Sequence, residues 1–288
     1  VVSQEASMTS TAEVKIVELS NGVFARLHNN LTNAGIIVGD DSVIIVDSLR
    51  VPSFARDLIK DVKHITNKPI SHVIDTHSHW DHSWGNQEFP TATIIGHDNC
   101  LKEMIDSNWN EQWRSKVISS NESWSEEAKT VSITPPNLTF SDSMNMEFGS
   151  HKIHIKFLGK AHTSGDIFIY LPDDQVLFTG DVAQNQGIPF FGDSYPNDWI
   201  QTSESMANIS VNSFMAGHGP IGSQKDLSDA KDFIQALIQD IKSSKNDGID
   251  KDQTASIVTN NLKSRFGHWR KFELLPDGIA DIYNRLVN

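Results

Sequence analysis

The chain is 288 residues long, 38% hydrophobic, with 37 acidic against 24 basic side chains and a formal net charge of -13. That leaves room for one large domain or two small ones with a sizeable core, and the acidic balance disfavours nucleic acid, whose binding draws on clustered Lys and Arg. A single cysteine, Cys100, excludes intrachain disulfides, and no apolar run is long enough to span a bilayer.

Residues 1–12 are small and polar and read as a disordered tail. The chain shows neither an initiator methionine nor a basic-then-apolar leader, so its compartment stays open: cytoplasmic, or periplasmic or secreted if a leader preceded Val1. From Val14, "VKIVEL", "VFARLH", "AGIIVGD" and "SVIIVDS" read as four successive strands, with turns at Asn21-Gly22 and Gly39-Asp40-Asp41. "PSFARDLIKDVKHIT" opens on Pro52 and repeats apolar residues at helical spacing, which predicts a helix. "SHVIDTH" and "TATIIGH" are strands. Residues 98–130 form a polar helical insertion holding Trp109, Trp113 and Trp124, and its tryptophans are expected to pack on the body rather than to form a lid. Strands return with "NLTFSDSMNMEF", "HKIHIKFLG", "DIFIYLP" and "QVLFTGD". "PNDWIQTSESMANI" is a helix and "SFMAGHG" a strand with its exit loop. Residues 225–288 are a helical C-terminal part, whose end from Ile249 serves equally as a cap or a dimer surface, so oligomeric state is not read here. No repeat or low-complexity linker divides the chain. Two blocks of strands with helices predict a single α+β domain over residues 13–288, two sheets face to face with helices outside.

"HSHWDH", His77 to His82, puts three histidines and an aspartate in six residues where a buried strand ends. With 12 histidines in the chain, composition alone would produce this string in roughly one or two chains per thousand. His77 and His79 can offer neutral imidazoles to one ion, and Asp81 and His82 to a second, about 3.5–4 Å away, the spacing at which two ions share a water. Each such ion needs about three protein ligands, so four residues are too few. His162 in "GKAHTSGD", Asp181 in "LFTGD" and His218 in "FMAGHGP" stand where strands give way to loops, beside small residues that allow close approach. The remaining histidines, His97 among them, have no place in this set and read as surface or packing residues.

The series "THSHWDH", "AHTSGD", "FTGD", "AGHGP" resembles the metallo-β-lactamase superfamily over most of the chain, from about Val14 to Gly222. The resemblance implies an αββα four-layer sandwich with metals at the sheet edges, here extended by the helical insertion and the helical C-terminal part. Carried over residue by residue, it implies a first metal on His77, His79 and His162, a second on Asp81, His82 and His218, and Asp181 bridging both. Two zinc ions are implied, with iron or manganese as alternatives. Asp75 in "VIDTH" and Asp166 in "HTSGD" match positions that back the ligands and fix histidine tautomers. Asp47 in "VIIVDS" matches another buried aspartate of the family and reads equally as a turn residue before the next helix.

Two divalent ions sharing a water lower its pKa toward neutrality. The resemblance therefore implies a hydrolase using a metal-bridging hydroxide, oriented by Asp81, on a small carbonyl substrate: a β-lactam, a lactone, or a related ester or amide. Aspartate at 181 separates the chain from the cysteine-bearing lactamases and is similar to lactonases, thioesterases and a branch associated with quinoprotein systems. Trp84, Phe190, Phe191, Tyr195 and Trp199 make either an apolar pocket wall or ordinary packing. A glyoxalase-II-like thioesterase shares the histidines but would add a basic patch that this acidic chain lacks. A mononuclear iron sulfur dioxygenase could use His77, His162 and Asp181, and would leave the second set idle. No G-x-S-x-G element offers a serine route. The expected partner is a small molecule, not a nucleic acid or a membrane.

Overall fold

Alternate residues of the apolar runs face two different cores, and this period of two sets the layers. The computed structural model describes residues 14–286, so the tail expected at residues 1–12 lies outside the described residues. The first sheet has seven strands in chain order: β1 (Val14–Ser20), β2 (Val23–His28), β3 (Ala34–Val38), β4 (Val43–Val46), β5 (Ile70–Ile74), β6 (Thr93–His97) and β7 (Leu138–Phe140). Its first four strands pair antiparallel, and β4 to β7 run parallel. The second sheet has five, in the order β12-β11-β10-β9-β8: β8 (Ser143–Phe148), β9 (His151–Lys156), β10 (Phe168–Leu171), β11 (Val176–Gly180) and β12 (Ser213–Ala216). Only β11 and β12 are parallel there.

All four residues of β4 are buried, because both of its faces are covered. Ile44 and Val46 point inward, onto a core shared with Ile155, Ile169 and Phe178 of the second sheet. Val43 and Ile45 point outward against Leu58 and Val62 of helix α1 (Pro52–Ile65). The second sheet repeats the pattern. Its outward Leu177 and Phe214 pack on Phe233 and Leu237 of α6 (Gln224–Asn246), which a Ser223–Asp226 capping box starts. Each such buried Ile, Leu or Phe contributes about 1.5–3 kcal/mol. The result is the expected four-layer αββα sandwich. The other helices are α2 (Trp80–Ser83), α3 (Asp98–Met104), α4 (Ser107–Ser119), α5 (Pro196–Ala207), α7 (Lys251–Phe266) and α8 (Leu275–Arg285), in chain order.

One detail differs from the reading of the sequence, and the other is one that the sequence leaves open. "NLTFSDSMNMEF" is two strands in two sheets. Polar Ser141-Asp142 breaks the run, β7 joins β6 in parallel, and β8 crosses to pair with β9. The apolar face of the C-terminal part is covered by its own chain, with Leu262, Phe266, Ile279 and Ile282 buried in the α6 core. It caps the second sheet. Among the described residues, no helix is long and apolar enough to cross a membrane.

Candidate metal centre

Loops leaving β5, β9, β11 and β12 meet at one edge of the sandwich and carry the seven residues singled out above. Donor atoms of His77, His79 and His162 lie within 4.8 Å of one another, as do those of His77, His82 and Asp181, and those of Asp81, His82 and His218. Asp181 stands in the middle. Its Oδ2 is 3.2 Å from His218 Nε2, 3.5 Å from His82 Nε2 and 3.6 Å from His162 Nε2. Asp81 Oδ2 lies 3.2 Å from His218 Nε2. Gly217 makes room for this approach, since a Cβ there would collide with Asp181 Oδ1 and His82 Cε1.

Each of the five histidines has one ring nitrogen held from outside the cluster. His77 Nδ1 donates to Thr76 Oγ1 (2.9 Å), which itself donates to Asp47 Oδ2 (2.8 Å). His82 Nδ1 donates to the same Asp47 oxygen at 2.7 Å. His79 Nε2 faces Asp193 Oδ2 (2.9 Å), His162 Nδ1 the carbonyl of Phe190 (2.9 Å), and His218 Nδ1 the carbonyl of Leu31 (3.0 Å). Such acceptors favour the proton on the outer nitrogen and turn the other nitrogen inward, where His162 Nε2 and His79 Nδ1 meet in a hydrogen bond of 2.9 Å.

Asp47, which could equally have been a turn residue, is thus the aspartate behind two histidines. Asp75 is not. It accepts from Asn86 Nδ2 (2.8 Å), its other oxygen has no hydrogen-bond partner among the described residues, and burial drives its carboxyl well above the usual carboxylate range. Asp166 holds the His162 loop by accepting from Thr163 N (2.8 Å) and Oγ1 (2.9 Å), and burial pushes its pKa up to about 7.

The donor set fits divalent ions. His77 Nε2, His82 Nε2 and Asp181 Oδ1 are buried and have no hydrogen-bond partner, a costly arrangement for lone pairs that nothing fills. Burial, then neighbouring His82, holds His77 well below its ordinary pKa, and burial, then His79, takes His162 down to about 3. Both are neutral ligands-in-waiting. Burial opposes charge on His218, but Asp181 and Asp81 outweigh it and lift its pKa to about 9. Protons therefore occupy the half of the cluster where two carboxylates call for positive charge. Mixed imidazole and carboxylate donors suit zinc, and also iron or manganese.

The chain matches the family model of the metallo-beta-lactamase superfamily over residues 29–218. It belongs to that superfamily. A metallo-beta-lactamase type 2 from Bacillus sp. (strain 170) is 25% identical over 248 residues, covering 81% of this chain and 87% of its own. The solved metallo-beta-lactamase from Pontibacter korlensis superposes with a TM-score of 0.62 at 16% identity, over 77% of this chain and 99% of its own. A stereoselective inverting sec-alkylsulfatase from Pseudomonas sp. gives a TM-score of 0.77 at 16% identity, covering 95% of this chain, which spans only 50% of that protein. The matched superfamily span closes on His218, so α6, α7 and α8 lie beyond it.

Within this superfamily fold, several side chains that no local signal marks tie the ligand loops together. Glu103 of α3 accepts from Ser78 Oγ with one carboxylate oxygen and from Ser164 Oγ with the other, joining the "HSH" loop to the His162 loop. Glu103→Gln replaces one acceptor by a donor. It is expected to weaken metal binding about tenfold and stability by about 1–2 kcal/mol, checked by metal titration and thermal melting. Arg50, buried over Trp124 and Trp80 (4.8 and 5.3 Å to the ring centres), donates to Thr32 Oγ1 at 3.1 Å, and Thr32 donates to Asp81 Oδ2 at 2.8 Å.

The expected pocket wall is corrected in part. Phe190 and Phe191 line a cavity of about 320 Å³ that reaches Asp181 and His218. Trp84 does not. It is buried with Val51, Val117 and Val131, in the small core under the insertion. Trp199 is fully buried, donates Nε1 to the Val182 carbonyl (3.3 Å) and packs its ring 6.0 Å from His162. Tyr195 precedes α5 and lies under Lys160. Trp84 and Trp199 are large apolar groups that the core claims first, while Tyr195 is half-buried and joins neither the core nor the cavity. Trp109 and Trp113 of the insertion are half-buried against His79, at 6.0 and 5.4 Å between ring centres, and Trp113 also meets the cavity residue Phe190 at 5.8 Å.

Proposed function

We propose that the chain is a metal-dependent hydrolase that holds two divalent ions, zinc by the chemistry of its donors, and cleaves a small carbonyl substrate such as a β-lactam, a lactone, or a related ester or amide. One observation carries the reading: buried donor atoms without partners converge at Asp181, while the outer nitrogen of every histidine is held. His77, His79 and His162 would hold one ion, Asp81, His82 and His218 the other, and Asp181 both. Such ions supply a nucleophilic water at neutral pH and a Lewis acid for the carbonyl oxygen.

The side chains of this protein do the rest. Asp81 Oδ2, fixed by the hydrogen bond from Thr32 Oγ1, would accept a hydrogen bond from that water and orient it. Burial alone would raise the Asp81 carboxyl, but His82 and His218 keep it well below the usual range, so the oxygen is an ionised acceptor. Ile188, Pro189 and Phe190 form an apolar wall that keeps bulk water from the substrate. The cavity volume sits at the low end for ligand sites, which supports a small substrate. The lactamase named above supports the lactam form of the reading.

Elemental mass spectrometry on protein purified without added metal or chelator is expected to find about two ions per chain. Chelation should abolish turnover in a panel of lactams, lactones and thioesters, and zinc should restore it. One iron per chain with oxygen uptake on a persulfide, or no turnover across the panel by two-metal protein, would overturn the reading.

A further inference from the structure

The turn after β4 holds two residues in the left-handed region, Asp47 at φ 64° and Leu49 at φ 72°. For a bulky side chain such as Leu49 this conformation costs about 1 kcal/mol or more and persists where neighbours impose it. Here Ser48 N donates to the His82 carbonyl (2.8 Å) and Gly85 N to the Leu49 carbonyl (3.0 Å). The turn sends two polar side chains toward the cluster. Asp47 reaches His82 directly and His77 through Thr76, and Arg50 reaches Asp81 through Thr32.

Arg50 is 5% exposed, and its surroundings are aromatic. Its guanidinium carbon lies 4.8 Å from the ring centre of Trp124, 5.3 Å from that of Trp80 and 5.5 Å from that of Phe54, a cage that holds a planar cation by its faces. Trp124 comes from the insertion, Trp80 opens α2 and Phe54 lies in α1. Arg50 Nε is buried with no hydrogen-bond partner among the described residues, and Nη2 donates to Thr32 Oγ1 at 3.1 Å. Burial works against the charge, while Asp81 and then Glu122 support it. An arginine has donors only, so the Thr32 oxygen accepts from it and the one hydroxyl proton is left for Asp81 Oδ2, at 2.8 Å. A hydroxyl that accepts from a cation also donates more strongly. The loop around Thr32 is tied to the other side of the site, since the Leu31 carbonyl accepts from His218 Nδ1 (3.0 Å) and Asn33 N donates to the Gly217 carbonyl (2.7 Å).

We propose that Arg50 is a positioning residue that sets the Thr32 hydroxyl on Asp81, and so holds Asp81 in place for the ion shared with His82 and His218. Through Trp124, the insertion helps to hold Arg50 at that task. The proposal rests on the two-ion reading for the ion itself. Two roles open to this cation differ in sign. A positive charge acting through space repels a metal ion, so its loss would tighten binding. A positive charge acting through Thr32 steadies a ligand, so its loss weakens binding.

In metal-free protein, three-bond NMR couplings to the Thr32 methyl read its side-chain rotamer. Wild type is expected to show one rotamer and Arg50→Met an average of several. The same single rotamer in Arg50→Met would overturn the proposal. In calorimetric zinc titrations, Arg50→Met and Thr32→Val are each expected to bind one of the two ions about tenfold more weakly and the other as wild type does. The double variant should bind no more weakly than Thr32→Val, because the arginine acts through the hydroxyl. Unchanged binding in Thr32→Val, tighter binding in Arg50→Met, or losses that add in the double variant would each sink the idea, and Thr32→Val decides alone should Arg50→Met not fold. A wild type that takes up a single ion would end the two-ion reading, and the Thr32 rotamer would then uphold or overturn the role of Arg50 by itself.

Discussion

Asp181→Ala is expected to reduce bound metal from two ions to one or none per chain and to lower turnover at least about a hundredfold. Asp181 is the residue common to both halves of the cluster, with His82, His162 and His218 all within 3.6 Å of Oδ2 and with Oδ1 buried and unpartnered. Alanine removes the only carboxylate that, among the described residues, stands between the two sets. The fold should survive, because Asp181 follows β11, whose ladder runs through Val176, Leu177 and Phe178. Asp181→Asn separates charge from shape. Its amide fits the space left by Gly217 but brings no negative charge to share between two cations, so it should melt like wild type and still lose at least one ion. Elemental analysis beside a thermal melt reads both quantities. Two ions and full turnover in Asp181→Ala would end the bridging assignment, whatever the substrate proves to be.

The layers were legible because burial on both faces leaves its mark on each strand. "SVIIVDS" and "QVLFTGD" are continuously apolar, and in the structure their alternate residues enter different cores. The seven cluster residues were legible because they stand at strand ends in short, dense motifs. What supports them was not. Asp193 faces His79 from 114 positions away, and nothing in "FFGDSY" distinguishes it from a turn aspartate. Glu103 looks like any acid of a polar helix, and its role exists only because α3 packs beside both ligand loops. Asp47 and Asp75 both follow apolar strands, and pattern alone cannot say which meets a histidine. Trp84 and Trp199 are ambiguous for a different reason, since a pocket wall and a core select the same side chain.

Asp47 gives the second large effect, and it divides into two by the choice of substitution. The residue is 1% exposed at φ 64° and accepts from Thr76 N (2.8 Å), Thr76 Oγ1 (2.8 Å) and His82 Nδ1 (2.7 Å). Asp47→Ala strands these three donors in the interior, at about 1–3 kcal/mol each where no water replaces the acceptor, and puts alanine in a left-handed conformation that aspartate and asparagine tolerate better. A loss of about 3–5 kcal/mol is expected, a fall in melting temperature on the order of 10 °C. Asp47→Asn keeps the backbone conformation and one acceptor oxygen. If that oxygen stays on Thr76 N, the amide NH₂ faces His82 Nδ1, which must then accept, so the proton moves to Nε2. Nε2 is the nitrogen that has to be bare to bind an ion. Asp47→Asn should therefore melt within a few degrees of wild type yet bind the ion on Asp81, His82 and His218 about 10- to 100-fold more weakly, with the His82 tautomer visible by ¹⁵N NMR. Equal metal binding in Asp47→Asn and wild type would mean that this carboxylate holds the loop and not the proton.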